Sequence, residues 1–413
     1  MSSFEVKMEK YAQVIVRVGV NLQPGQRLLM WNPPYEAAPL VRVLAKAAYQ
    51  AGAKLVVPLY DDEQIDIVRL KYGSDESIEE FNFVAMDTIK KYADQGDALL
   101  SIHGLPPDYL KGLDPERIKK RQQVITLNSG AYSDAISSGV IQWSAVRSPT
   151  KAWADMVLPD LPEEDRLPEF WELVFRLSRA DGDDPVGDWH EHISNLSKRK
   201  DHLNEKKYAS LKYSGPGTNL MVGLPAGHHW ESGKDHTNSG IGYTANIPTE
   251  EVYTMPDRLR VDGVVRSTKP LDYGGMLIDN FTIRFEKGEA IQVEAEIGEE
   301  YLKNSIDTDE NARFTGEVAL VPNSSPISQS GIIFYDGLYD ENASCHIALG
   351  AAYKSSMEGG EKMSDEEFAA AGGNISKLHL DFMIGSGEMD IDGITQDGGS
   401  EPLMRAGEWA QTV

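Results

Sequence analysis

Cysteine is nearly absent. Cys345 is the one thiol in 413 residues, so no intrachain disulfide can form, and the chain suits a reducing, cytoplasmic compartment. Long apolar runs are missing too. No stretch approaches the about 18 residues that a membrane span needs, and the first ten residues hold Glu5 and Glu9 where a secretory leader would hold an apolar core, so neither spanning nor secretion is expected. Basic charge is scarce: 40 Lys and Arg stand against 65 Asp and Glu, a formal charge of −25. That balance excludes the footprint of a nucleic-acid binder and favours cationic partners such as peptide amines. Several catalytic signatures are lacking as well. His190-Glu191-His192-Ile193-Ser194 ends in serine where H-E-x-x-H needs histidine, Gly233-Lys234-Asp235 lacks the hydroxyl residue of a Walker A loop, and no G-x-S-x-G occurs. Gly240-Ile241-Gly242 fits a loose dinucleotide pattern but opens no βαβ unit, so no nucleotide is assigned.

What is present is an ordinary globular composition, 41% hydrophobic and 25% charged, in a chain too long for one core. From Phe4 to about Asn128, helical and strand periods alternate. A helix is predicted over Tyr11 to Val18, strands at Arg27–Trp31, Lys54–Leu59 and Asp97–Ile102, and a helix from Glu36 to Ala51. That rhythm implies an α/β domain with a mostly parallel sheet. Acidic helical sequence runs from Thr150 to about Glu205, after which strands and Gly/Asn/Asp turns take over. In that part Glu286-Lys287-Gly288-Glu289 reads as a hairpin loop. The expected architecture is an α/β domain over residues 1–205 followed by a β-rich α+β domain over residues 206–413.

The second half carries the chemistry. In His379-Leu380-Asp381 side chains two apart on a strand aim imidazole and carboxylate from one face, a donor pair suited to zinc, cobalt or manganese. Glu251, Glu317 and His346 offer further ligand types. Each has a plain structural reading when taken alone: a surface aspartate beside a satisfied histidine, an exposed strand carboxylate, a core histidine. Adjacent Glu250 and Glu251 would point to opposite faces of a strand, so only one can reach an ion. Glu317 stands between Gly316 and the apolar run Val318-Ala319-Leu320, where an uncompensated charge would be costly.

Read together, Asn246–Thr254, Phe314–Leu320, Asn342–Gly350 and Lys377–Ser386 resemble, in order, segments of the aminopeptidase T family, the M29 metallopeptidases. The resemblance covers the C-terminal half. It implies a pair of catalytic divalent ions held by Glu251, Glu317, His346, His379 and Asp381, with Tyr353 as an active-site tyrosine. It selects Glu251 and leaves Glu250 solvated. It also implies a homodimer acting on short peptides with a free N-terminus, the N-terminal domain covering the site and building the dimer.

The expected reaction is hydrolysis of the first peptide bond by a hydroxide held between the ions, with Tyr353 donating a hydrogen bond to the oxyanion or, alternatively, orienting a carboxylate ligand. The proton acceptor stays open among Glu250, Asp340 and Glu341, or Glu251 while it also coordinates. Other readings are a dinuclear amidohydrolase or phosphoesterase and a non-catalytic peptide-binding protein. His228, His229 and His236 are expected in a solvated loop or rim, with a second metal site as the alternative, and Cys345 is expected to be a small buried filler.

Overall fold

The computed structural model describes residues 2–106, 108–273 and 276–410. The chain forms two compact units, Met1–Ile193 with Lys234–Pro248 and Ser194–Gly233 with Thr249–Val413.

The first unit is built on a parallel sheet, as the alternating periods predict. Its five strands lie in the order Asn246–Ile247, Trp143–Arg147, Ala98–His103, Arg27–Pro34, Leu55–Asp61, with every pairing parallel. Parallel neighbours require long crossovers, which helices such as Ala38–Gln50, Val84–Ala93 and Pro115–Asn128 supply. Leu28, Leu29 and Met30 are all fully buried, so both faces of the sheet are covered, the usual condition of a parallel sheet. On one face Leu29 and Leu99 pack with Met86, Ile89, Ala135 and Ile141. The first helix begins at Ser3, earlier than its apolar period predicts, because Ser2 and Glu5 close a reciprocal capping box.

The second unit is built from antiparallel sheets. In the larger one Met276–Glu286 and Glu289–Ile297 form the expected hairpin, turned by Lys287 and Gly288, both at positive φ (50° and 86°), the conformation that a two-residue type I′ connection demands. The smaller sheet has five strands in the order His379–Met383, His346–Gly350, Thr315–Leu320, Val252–Thr254, Glu231–Ser232. Its two faces differ sharply. Val252, Val318, Leu320, Ile347, Leu349, Leu380 and Phe382 share one face and are buried, and the Phe382 ring lies 5.4 Å from Phe281 of the larger sheet. Cross-strand register places Tyr253, Glu231, Ala319, Glu317, His346, Ala348, Gly350, His379 and Asp381 on the other. Every strand residue singled out as a metal ligand lies on this second face, and Glu251, two positions before Tyr253, takes the same side.

The register is adjusted once, between Thr315 and Glu317, where Gly316 is the extra residue of a bulge. Such a bulge re-aims the side chains that follow it. A methyl group on Gly316 would stand 2.1 Å from the Ala351 carbonyl oxygen and 2.4 Å from that of Gly350, so backbone would have to move. We expect Gly316→Ala to lower the unfolding free energy by about 1–3 kcal/mol, the usual cost of overpacking, read as a lower denaturant midpoint at unchanged slope. Wild-type stability in that variant would mean that the bulge is not held by this close approach.

Candidate metal centre

Alternation along three strands and a preceding turn brings five side chains together. His346 Nε2 lies 3.1 Å from Glu251 Oε2 and 3.6 Å from Glu317 Oε1. His379 Nε2 lies 3.6 Å from Glu317 Oε2 and 3.3 Å from Asp381 Oδ2. Glu317 therefore presents one oxygen to each imidazole. Two three-donor groups result, Glu251–Glu317–His346 and Glu317–His379–Asp381, with the donor atoms of each within 4.8 Å of one another. They share Glu317. The first group is buried and the second half-buried, so the centre opens toward His379 and Asp381.

Backbone carbonyls set the orientation of both rings. His346 Nδ1 meets Ser344 O at 3.1 Å, and His379 Nδ1 meets Ala351 O at 2.8 Å. Since a carbonyl only accepts, each Nδ1 carries the hydrogen, and in the neutral ring each Nε2 presents a lone pair to carboxylate oxygens that also only accept. Acceptor facing acceptor at these distances is stable only with a proton or a metal ion between them. Locking a ligating imidazole through its other nitrogen is the common outer-shell arrangement of metal sites. Two carboxylate oxygens, Glu251 Oε2 and Asp381 Oδ1, are buried without a hydrogen bond, a costly condition for a charged group unless a cation faces it.

The titration behaviour follows from the same crowding. Burial, then Asp381 and Glu251, push the Glu317 carboxyl up to about 7 against the pull of His346 and His379. Burial would lower His346, yet Glu251, Glu317 and Asp381 outweigh it and hold the imidazole well above its usual value. His379 is likewise pushed up to about 10 against burial, chiefly by Asp381. Burial opposes ionisation of Asp381, but His379 and His346 hold its carboxyl below the usual range. Burial, followed by Glu251 and Asp381, holds Glu341 well above it. Without metal the crowding is met by protons, on the imidazoles and on the Glu341 and Glu317 carboxyls whose pKa is raised, whereas two dications beside neutral rings would offset four ionised carboxylates. The donor set fits divalent metal better than protons.

Small residues leave the room an ion needs. Ala348 stands between Glu317 and Asp381 across the strands, and Gly350 is opposite His379. Tyr353 lies at the rim, half exposed, with its hydroxyl 3.4 Å from His379 Nε2 and its ring 6.1 Å from that of Tyr253. Tyr253 and Ala348 escape a search for ligand types. Their signal is the two-residue alternation from Glu251 and from His346.

Other expectations change or narrow. Glu250 is buried, not solvated. Its backbone N–H donates to Asn342 Oδ1 at 2.7 Å, and its charge acts on Arg199, which accounts for burial away from the ligands. Cys345 is buried, donates to Val321 O at 3.3 Å, and is pushed by burial up to about 11, so it is an inert filler. His228 is buried with Nδ1 on Pro225 O, His229 faces Glu231 at 3.4 Å, and His236 is exposed. Among the described residues these three form no ligand group.

An antiparallel sheet face that gathers carboxylates and imidazoles around one shared glutamate defines a metal-binding catalytic class of protein. Comparison with known proteins makes this specific. Residues 4–409 match the family described as thermophilic metalloprotease (M29). The chain is 45% identical over 410 residues to Aminopeptidase 2 of Geobacillus stearothermophilus, covering 99% of each. It is 42% identical over 412 residues to Aminopeptidase T of Thermus thermophilus, covering 99% of this chain and 100% of that one. The solved structure of wild-type AmpT from Thermus thermophilus superimposes with a TM-score of 0.93 at 40% identity, covering 99% of this chain and 100% of that one. The chain belongs to the M29 metalloprotease family.

Two outcomes test the centre. Because His346 and His379 are held above their usual values without metal and must be neutral to ligate, metal uptake at pH 7 should release protons, on the order of two per chain from the imidazoles alone. Affinity should therefore fall as pH is lowered, measured by titration calorimetry in buffers of different ionisation enthalpy. Uptake without proton release would place the ion elsewhere. Ala348→Leu should fill the space between Glu317 and Asp381 and weaken metal affinity by about 10–100-fold while the fold is retained, measured by chelator competition beside a thermal melt.

Proposed function

We propose that this chain is an aminopeptidase that removes the first residue from short peptides with a free N-terminus, working with two divalent ions drawn from zinc, cobalt and manganese. The observation that carries this reading is Glu317, whose two oxygens join two three-donor groups. It is supported by relatives 38–45% identical over 99% of this chain that are named aminopeptidases.

When bound, the ions supply Lewis acidity toward the scissile carbonyl and a lowered pKa for water. The remaining roles belong to the chain's own side chains. Glu251, Glu317 and His346 would hold one ion, and Glu317, His379 and Asp381, which are more accessible, the other. A free α-amine held at the metal centre would restrict cleavage to the first bond, so endopeptidase activity is unexpected. Tyr353 donates its phenolic hydrogen to the oxyanion that forms on the scissile carbonyl. Although the ring is half exposed, desolvation of its hydroxyl beside the centre, with Glu317 and Asp381, holds that phenol above its usual pKa, so it donates without ionising.

Family resemblance further supports a homodimer, with residues 1–205 serving dimerisation and residues 206–413 catalysis. The single cysteine suits the cytoplasm, and among the described residues no helix is long and apolar enough to cross a membrane. The net charge of −25 argues against nucleic acid as a partner.

Hydrolysis of aminoacyl p-nitroanilides, lost on chelation and regained with metal, is the expected result. Cleavage of phosphate esters in its place would move the chain to the phosphoesterase reading. Tyr353→Phe should lower kcat by about 10²–10³-fold while metal content and KM stay near wild type. A KM effect alone would make Tyr353 a wall of the substrate site.

A further inference from the structure

Donor side chains hold an ion only where the backbone beneath them is fixed, since a donor about 1 Å out of place no longer coordinates well. The five proposed ligands stand on segments far apart in sequence. Two fully buried asparagines, Asn342 and Asn374, tie those segments together. Neither belongs to a three-donor group, and neither carries charge.

Asn342 follows the short helix Gly337–Glu341 and lies four residues before His346. Its Oδ1 accepts from Glu250 N–H at 2.7 Å, its Nδ2 donates to Leu338 O at 2.8 Å, and its backbone carbonyl accepts from Ser325 Oγ at 2.8 Å. The carboxamide is used at both ends, once as acceptor and once as donor, a combination that neither aspartate nor leucine offers. What it fixes is the residue next to Glu251. From there Glu251 Oε2 reaches His346 Nε2 at 3.1 Å. Asn342 therefore joins the turn that carries Glu251 to the segment that leads into His346.

Asn374 acts at the other end of the centre. Its Nδ2 donates to Gly350 O at 2.6 Å and to Asn311 O at 2.9 Å, with Phe314 O at 3.4 Å, and its backbone carbonyl accepts from Ala352 N–H at 2.9 Å. Carbonyl oxygens only accept, so the nitrogen end of the carboxamide must face them. Its Oδ1 is left buried without a hydrogen bond, a cost that an apolar side chain of the same shape would avoid. The position thus uses the donors of Asn374. They hold the turn from Gly350 to Tyr353, whose Ala351 carbonyl accepts from His379 Nδ1 at 2.8 Å and whose Tyr353 hydroxyl lies 3.4 Å from His379 Nε2. Through that turn Asn374 orients the imidazole that faces both Glu317 and Asp381.

We infer that Asn342 and Asn374 are positioning residues that govern separate halves of the centre, Asn342 the Glu251–Glu317–His346 group and Asn374 the Glu317–His379–Asp381 group. The assignment rests on the two-ion reading above. Glu317 is common to both halves, but each carboxamide acts on backbone beside a ligand that the other half lacks.

The test titrates metal-stripped protein with Co²⁺ against a competing chelator, following visible absorbance, with a thermal melt of each preparation. Wild type should take up cobalt in two steps. Glu251→Ala and Asp381→Ala identify the step that belongs to each group. We expect Asn342→Ala to weaken the Glu251 step by about 10–100-fold and to leave the other within about threefold, and Asn374→Ala to do the converse. Asn342→Ser and Asn374→Ser, which leave smaller gaps, carry the same expectation if an alanine variant fails to fold. A merely structural role would lower the thermal midpoint and move both steps together or neither, and either result would overturn the assignment while the two-ion reading stands. A single cobalt per wild-type chain would overturn the two-ion reading and the assignment with it.

Discussion

Carboxylates repel one another more strongly as water is withdrawn, and the polar face of the small sheet crowds Glu251, Glu317, Glu341 and Asp381 around two imidazoles. Burying a lone carboxylate costs several kcal/mol even after relaxation. A fold that gathers four of them needs compensating positive charge. The two histidines can answer part of the demand by taking protons, which is the condition their raised pKa values describe. Divalent ions answer more of it and leave the rings neutral and able to ligate. Affinity for metal is then the other side of electrostatic strain that the empty donor set would carry.

The rest of the second unit serves that concentration of charge. The opposite face of the sheet is mostly apolar and packs on the larger sheet, which keeps the strands rigid enough to hold donor atoms a few ångströms apart. The Gly316 bulge shifts register on one strand only. Ser344 and Ala351 contribute nothing but carbonyl oxygens, yet these decide which nitrogen of each imidazole faces the centre. Alanine and glycine beneath the donors keep side chains out of the space an ion would fill. Each of these features is ordinary alone, and together they make a preorganised site.

Division of labour among the acidic residues is equally physical. Neighbours in sequence, Glu250 and Glu251 go to different surroundings, one acting on an arginine and the other reaching His346 just ahead of the strand Val252–Thr254. Asp340 and Glu341 also part, one consumed by two backbone N–H groups and the other left facing the ligands. The same chemical group is spent on backbone N–H groups or left to face a cation according to what meets it.

How much of this could be read from the chain alone differs between levels. The parallel α/β region, the β-rich second half and the Lys287-Gly288 hairpin were legible because periodicity and turn chemistry are local. His379 with Asp381, Glu251, Glu317 and His346 were legible as ligand types, with the segments that carry them in family order. Burial of Glu250 was not, since it depends on Arg199, distant in sequence. Nor was the joining of Asn246–Ile247 to the parallel sheet, which rests on a pairing with Trp143–Arg147. The sequence by itself determined which side chains are available and which face of a strand each takes, because alternation needs only the residue's own position. Tertiary structure alone decided that Glu317 lies between two histidines and that Ala348 leaves room beside it. Those are distances between strands and helices brought together by cross-strand register, and register is a property of the folded sheet.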